Sequence, residues 1–444
     1  MKRRTVTAGA AGALGAAVLA AAGCTPPGDR SGGQVMLTML THYTGEPVKS
    51  ALQASVDAWN ATHRRVQVRT AAVPFAYLLT TFMVRQAAGQ LADIIHPYGL
   101  WTGQLVRAGV LRPAPREAAR LIRRDFSPAA VAAASADGTV YGYPTEVQTY
   151  ALYYNRRLLR EAGIDQPPRT WRELEDAAYR TARQDRYGNP LVQGLGLSWG
   201  SQLAAADQAL ALLAARGGAF LSPDGRRSAI GSVAGRDVLG LQRRLIVRGA
   251  ATASTSLTRA FPAGQVAMVI YAGWWRARLK DEMGADYRDV GVAPIPGRVR
   301  DDRGTLLNGF LLGVNARSRH PREAWEFLRW LNAEPVLTAG ARGGAERRVA
   351  VSRMSALQME AGSMTSRAAD VRALLGREGL SADPNLLPFL DALRYAVPES
   401  NGPHAQRAKT MLRKAIEDVW TGRASVDAAL STLTTRLDHE LARQ

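Results

Sequence analysis

The hydrophobic pattern changes period several times along the chain, and each change marks an element. Residues 35–40, Val-Met-Leu-Thr-Met-Leu, form a short apolar run and predict a strand. Between Pro47 and Ala61 the apolar positions Leu52, Val56, Ala58 and Trp59 recur at helical spacing. Residues 65–73 predict a second strand, 76–88 a helix, 91–95 a third strand, and a further helix starts at Trp101 and ends near Gly109. Alternation of this kind implies a parallel sheet with helices on its faces, where ligands sit at the carboxyl ends of strands. Those ends are the loops 41–46, 74–77 and 96–101.

Further on, 140–144 and 150–155 are strand-like on both sides of a polar middle. Thr170 with Glu173 has the spacing of a capping box at a helix start. Helices are predicted at 202–215 and 233–248 around a loop at 217–232, and apolar strands at 266–271, 290–295 and 310–314. Everything after Pro321 reads as helical, with breaks near 340–344 and 398–403. No internal repeat and no transmembrane run is present.

The amino terminus is a separate case. Lys2, Arg3 and Arg4 precede a short Ala, Gly, Val and Leu stretch ending in Leu19-Ala20-Ala21-Ala22-Gly23-Cys24. A basic start, an apolar stretch too short to span a bilayer and small residues at its end make an export signal. The pattern resembles a bacterial lipoprotein signal, which implies that 1–23 is removed, that Cys24 is lipidated, and that the mature chain is anchored to the outer face of the cytoplasmic membrane. Arg3-Arg4 is compatible with a twin-arginine route. Residues 24–34, rich in Pro, Gly and Ser, read as a flexible tether.

Cys24 is the only cysteine in 444 residues. Once it is lipidated, no thiol is left for disulfides, thiolate metal sites or a cysteine nucleophile. The six histidines show no ligand spacing, so neither a metal nor another cofactor is expected. Without the signal about 420 residues remain, enough for two lobes and a cleft between them. Removing the three basic residues of the signal leaves +16 of the formal +19. The arginines are scattered rather than clustered, so this charge reads as a solvated surface and no nucleic-acid partner is expected. A basic surface suits a tethered chain facing anionic headgroups, within a Debye length of roughly 8 Å.

Six groups of passages, in order, carry a family resemblance. They are Ala87-Ala88-Gly89-Gln90-Leu91-Ala92-Asp93-Ile94-Ile95; then 141–144 (Tyr-Gly-Tyr-Pro) with 152–159 (Leu-Tyr-Tyr-Asn-Arg-Arg-Leu-Leu), 161–164 and 167–174; and Phe261-Pro262-Ala263-Gly264-Gln265 leading to Gly273-Trp274-Trp275. Residues 292–297, 324–331 and 422–430 complete the series. Together they resemble the extracellular solute-binding proteins (family 1) of carbohydrate ABC importers. The resemblance implies an α/β, periplasmic-binding-protein-like fold: two lobes, each with a mainly parallel sheet flanked by helices, joined by crossover strands. It places crossings near 143–148, near 293–297 and after Leu331. The amino-terminal lobe would hold 35–145 plus 297–335, and the carboxy-terminal lobe 146–296 plus 336–444. It also implies a monomer that binds a mono- or oligosaccharide, hands it to ABC permease subunits in the membrane and catalyses nothing.

A sugar offers hydroxyl edges and faintly apolar faces, so its cleft needs aromatic planes with amides and carboxylates. Tyr43, Tyr98 and Trp101 follow strands of the first lobe, with His96 and Tyr77 as weaker candidates. Glu146 and Gln148 occupy the polar middle of the first crossover, either as ligand contacts or as hinge hydrogen bonds. Trp199, Trp274 and Trp275 are the second-lobe platforms; on an extended chain only one of the adjacent pair would face the ligand. Asn308, before Gly309, is either an amide donor or a turn residue. Trp59, Trp171, Trp325, Trp330 and Trp420 fall on apolar helical stripes and are assigned to the core.

Two rival classes remain open. A secreted carbohydrate-cleaving enzyme needs two carboxylates about 5–10 Å apart, and only Glu146 lies near the expected site. The same fold could instead take a polyamine, a phosphorylated compound or another anion.

Overall fold

A computed structural model describes residues 33–199, 203–253, 256–339, 348–375 and 383–443. The expected signal at 1–23, the lipidation residue Cys24 and all but the last two residues of the tether lie outside the described residues.

One mixed sheet of eleven strands runs through the molecule. Its main path is Val66–Ala72, Val35–Thr41, Ile94–Ile95, Thr305–Val314, Gly142–Asn155, Val266–Ala272, Pro190–Gly196 and Arg183–Gln184. Val35–Thr41 pairs in parallel with both of its neighbours, as Pro190–Gly196 does with Val266–Ala272. The two long central strands run antiparallel to each other. Gly142–Asn155 uses its first half against Thr305–Val314, with Tyr143 opposite Leu312, and its second half against Val266–Ala272, with Tyr154 opposite Met268. It therefore belongs to both lobes. The polar middle that separates two apolar runs in the sequence is the point where one continuous strand crosses between them. Between Gly309 and Leu311 the register shifts, and such a bulge bends and twists a strand where it occurs.

The first-lobe core gathers Leu37, Met39, Val56, Trp59, Ile94, Tyr143, Leu312, Trp325 and Phe327. Trp59, on helix Val48–Thr62, is fully covered and donates its indole N–H to the Val66 carbonyl at 2.8 Å. The second-lobe core gathers Leu152, Leu174, Leu195, Leu212, Met268, Leu412, Trp420 and Leu433. Its helix Trp171–Thr181 begins with the capping box: the Glu173 amide donates to Thr170 Oγ1 and the Thr170 amide to Glu173 Oε2, each at 3.2 Å.

The carboxy-terminal third departs from the all-helical expectation. Pro335–Ala339 and Arg348–Ser352 form an antiparallel pair, and Ala396–Pro398 adds a parallel strand to Thr305–Leu307. Helix Arg353–Glu360, expected with the second lobe, packs instead into the first-lobe core through Met354 and Leu357, and its Gln358 donates to the Tyr43 hydroxyl at 2.6 Å. Among the described residues after Pro335, helices Ala405–Trp420 and Val426–Leu441 join the second-lobe core, and Met364, Phe389 and Leu390 cluster with Val269 and Trp275.

Candidate functional site

The crossing strands build the floor of a cleft. Side chains on a strand alternate between faces, so Glu146, Gln148 and Tyr150 share one face of Gly142–Asn155, and Asn308 and Phe310 line the same space from Thr305–Val314. The first-lobe loops add His42, Tyr43, Phe75, Tyr98 and Trp101, and the second lobe adds Asp207, Tyr271 and Trp274. The cavity enclosed is about 890 Å³, near the upper end of small-molecule sites, which run to roughly 1,000 Å³.

The first-lobe wall is a continuous set of rings. Phe75 stacks on Trp101 at 5.3 Å between centroids and meets Phe310 edge-on at 5.7 Å. Phe310 stacks on His42 at 3.8 Å, and Tyr98 touches both Phe310 and Trp101. Phe75 keeps 39 % of its surface exposed, whereas Tyr98 and Trp101 are nearly covered. On the other side Trp274, 38 % exposed, meets Tyr271 edge-on at 5.7 Å. Each lobe thus offers one open aromatic plane to the same space.

The polar groups are fixed by internal hydrogen bonds. Gln148 accepts from the Trp274 backbone N–H at 2.9 Å and donates to Ser363 Oγ at 2.7 Å. Both ends of its amide are engaged within the protein. Asn308 donates to the Tyr150 hydroxyl at 3.1 Å from within a strand, so the turn reading is overturned. Trp101 donates its indole N–H to Gln406 Oε1 at 2.9 Å. Glu146 lies 3.1 Å from His42 Nε2.

Behind this wall lies a buried charge network. Lys409 meets Asp207 at 2.5 Å and also pairs with Glu399, while Tyr98 donates to Glu399 at 2.6 Å. Burial pulls the Lys409 ammonium down, but Asp207 and Glu399 prevail and hold it above the usual lysine range. Burial also raises the Tyr43, Tyr98 and Tyr150 phenols well above their ordinary value, so all three stay neutral. Asp207 and Tyr98 line the cleft from opposite lobes, and Lys409 with Glu399 joins them.

Seven of the nine candidate residues, Tyr43, Tyr98, Trp101, Glu146, Gln148, Trp274 and Asn308, line the one cleft. Two do not. Trp275 is fully buried against Tyr153, Phe261 and Tyr271 and opens helix Trp275–Met283; the chain there is helical, not extended, and the ring turns into the core. Trp199 lies outside the lining and packs on Trp420 at 5.9 Å. Of the weaker candidates, His96 is buried between Thr41 and Thr145, hydrogen-bonded at 3.0 and 2.8 Å, and Tyr77 is 66 % exposed on the surface. His42, Phe75, Tyr150, Asp207, Tyr271, Phe310 and Gln406 also line the cleft, although sequence reasoning does not single them out. Strand alternation from Glu146 and Asn308 leads to Tyr150 and Phe310, and Phe75 sits in the loop 74–77.

Two α/β lobes sharing central strands, with a ligand-sized cleft where those strands cross, define a periplasmic-binding-protein-like fold. Solved structures agree. The cyclic alpha-maltosyl-1,6-maltose binding protein of Arthrobacter globiformis superposes with a TM-score of 0.76 at 22 % identity, covering 93 % of this chain and 100 % of that one. The sugar-binding protein MalE of Xanthomonas citri gives 0.75 at 20 %, covering 92 % and 98 %. The sequence profile described as bacterial extracellular solute-binding protein matches residues 44–336, and the chain belongs to that family. Among curated relatives, a binding protein of Brucella abortus (strain 2308) is 26 % identical over 289 residues, and the maltotriose-binding protein of Pyrococcus abyssi is 25 % identical over 256. The matches take in 62 % and 56 % of this chain, and the chain spans 66 % of the first relative's length and 52 % of the second's.

Proposed function

We propose that this protein captures a carbohydrate outside the cell and delivers it to an ABC-type permease, as a monomer held to the membrane through a lipid on Cys24. The observation that carries the reading is the pairing of two open aromatic planes, Phe75 and Trp274, across a cleft of about 890 Å³ whose floor is amide and carboxylate. Aromatic faces suit the C–H faces of sugar rings, and polar side chains suit their hydroxyls. Relatives named for maltotriose and for cyclic maltosyl-maltose support the choice of carbohydrate. A ligand touching both lobes favours the closed arrangement by its difference in affinity for the two states, and that arrangement is what a permease would read. No bond-making step is part of this reading. Anionic solutes fit poorly, because none of the described residues lining the cleft is Lys or Arg.

A thermal-shift screen with mono- and oligosaccharides tests it. A saturable rise in melting temperature with at least one carbohydrate is expected, and uniform silence would refute the reading. Labelling with palmitate in an exporting bacterium, with Cys24→Ala as the control, tests the anchor separately.

A further inference from the structure

The charge of the cleft runs against the charge of the chain. Lys and Arg make up 57 of 444 residues, for a formal +19. Yet none of the described cleft-lining residues is basic in that sense, and the two that carry formal charge are the carboxylates Glu146 and Asp207. Asp207 is ion-paired at 2.5 Å with Lys409, which it shares with Glu399. Among the described residues no Lys or Arg pairs with Glu146; its neighbours are the His42 imidazole at 3.1 Å and the Tyr43 hydroxyl.

Acceptor capacity is concentrated at one place in the lining. Part of the donor capacity of the lining is committed within the protein: Trp101 Nε1 to Gln406, Tyr98 hydroxyl to Glu399, one Gln148 N–H to Ser363, and one Asn308 N–H to Tyr150. Acceptors are left over. A carboxylate offers about four lone-pair sites, and Glu146 has more of them than His42 and Tyr43 can fill. His42 Nδ1 is buried with no hydrogen-bond partner. A sugar hydroxyl brings one donor to such a lining. An ammonium group, with three donors and no acceptor, matches it well. The surrounding rings of Phe75, Phe310, Tyr98 and Trp101 present negative π-faces, which also attract cations.

We propose that the carbohydrate bound here carries a protonated amine, seated against the Glu146 carboxylate beside the His42–Phe310 stack. This rests on the carbohydrate reading above and narrows it to amino sugars or amino-substituted oligosaccharides. Specificity follows as a difference of affinities: the site gains on the cation and leaves an acidic sugar facing uncompensated carboxylate.

Calorimetric titration of the purified full-length mature chain at mildly acidic pH and low salt decides it. The probes are short glucosamine oligomers, the same oligomers N-acetylated, neutral maltotriose and a short oligogalacturonate. The free amines should bind about tenfold or more tighter than their acetylated forms, with the uronate weakest, and E146Q should erase the amine preference. Acetylated or neutral sugars binding as well as the amines would overturn this inference and leave the carbohydrate reading standing. A preference that survives in a folded E146Q would overturn the assignment to Glu146. Silence from every carbohydrate would overturn both. Should E146Q fail to fold, the amine-to-acetyl affinity ratio of the unaltered protein still supports or overturns the amine preference.

Discussion

The side-chain oxygen of Gln148 accepts the backbone N–H of Trp274 at 2.9 Å, so the strand that crosses between lobes holds the second lobe's open aromatic plane in place. The other end of the same amide reaches Ser363 at 2.7 Å, and the residue is only 7 % exposed. A residue read from sequence as a ligand contact or a hinge hydrogen bond thus orients a neighbouring ring that opens on the cleft.

Truncating Gln148 removes two buried hydrogen bonds, each with a net worth of about 0.5–1.5 kcal/mol. Gln148→Ala should therefore weaken carbohydrate binding by roughly tenfold, with the loss falling on the ligand's dissociation rate. Stopped-flow tryptophan fluorescence measures this. Unchanged dissociation from Gln148→Ala would mean that Trp274 needs no such support.

Lys409 is 1 % exposed and held between Asp207 and Glu399. Removing one partner of a buried ion pair costs about 3–5 kcal/mol, because the remaining charges lose their compensation. Lys414, on the same helix, pairs with Asp418 in the open and should contribute about 0–1 kcal/mol. Urea unfolding of Lys409→Met and Lys414→Met should separate the two by several kcal/mol. Equal losses would show that the buried network is not what couples helix Ala405–Trp420 to Tyr98.

Burial, with the nearby His42 as a lesser cause, lowers the pKa of His96 well below its ordinary value. The unfolded chain takes up a proton near pH 6.5 while the folded one does not. His96 therefore costs nothing above that pH, and folding stability declines as the pH falls below it, by up to about 1.4 kcal/mol per unit. His96→Gln, which cannot titrate, should lose less stability than the unaltered protein between neutral and acidic buffers. Parallel melting-temperature profiles for the two would show that His96 titrates alike in both states.

Much of the fold can be read from hydrophobic spacing because it depends on short-range periodicity. The strand expected at 65–73 is Val66–Ala72, and the helix expected at 76–88 is Phe75–Ala87. Glu146 and Gln148 stand out because polar residues interrupt an otherwise apolar strand. Expectation and structure part where tertiary pairing decides the outcome. The strands Pro335–Ala339 and Arg348–Ser352 exist through each other, not through local propensity, so the segment after Pro321 looks helical throughout when judged by sequence. Asn308 before Gly309 suggests a turn, but a position opposite Gln148 in a central sheet overrides that preference. Trp274 and Trp275 are indistinguishable by type, and only the start of a helix between them sends one ring outward and the other inward. Asp207 is hidden within a mostly apolar helix, Ala204–Ala215, whose burial on nearly all sides the sequence does reveal but whose cleft-facing position it does not.

The central claim is that one guest is held between planes from both lobes. Calorimetric titration of the carbohydrate found by screening, against Phe75→Ala and Trp274→Ala in parallel, addresses it most directly. Loss of a central aromatic contact typically costs about 1–2 kcal/mol or more, so each variant should bind roughly ten- to hundredfold more weakly while melting close to the unaltered protein. Full affinity in either variant would contradict a site shared by the two lobes.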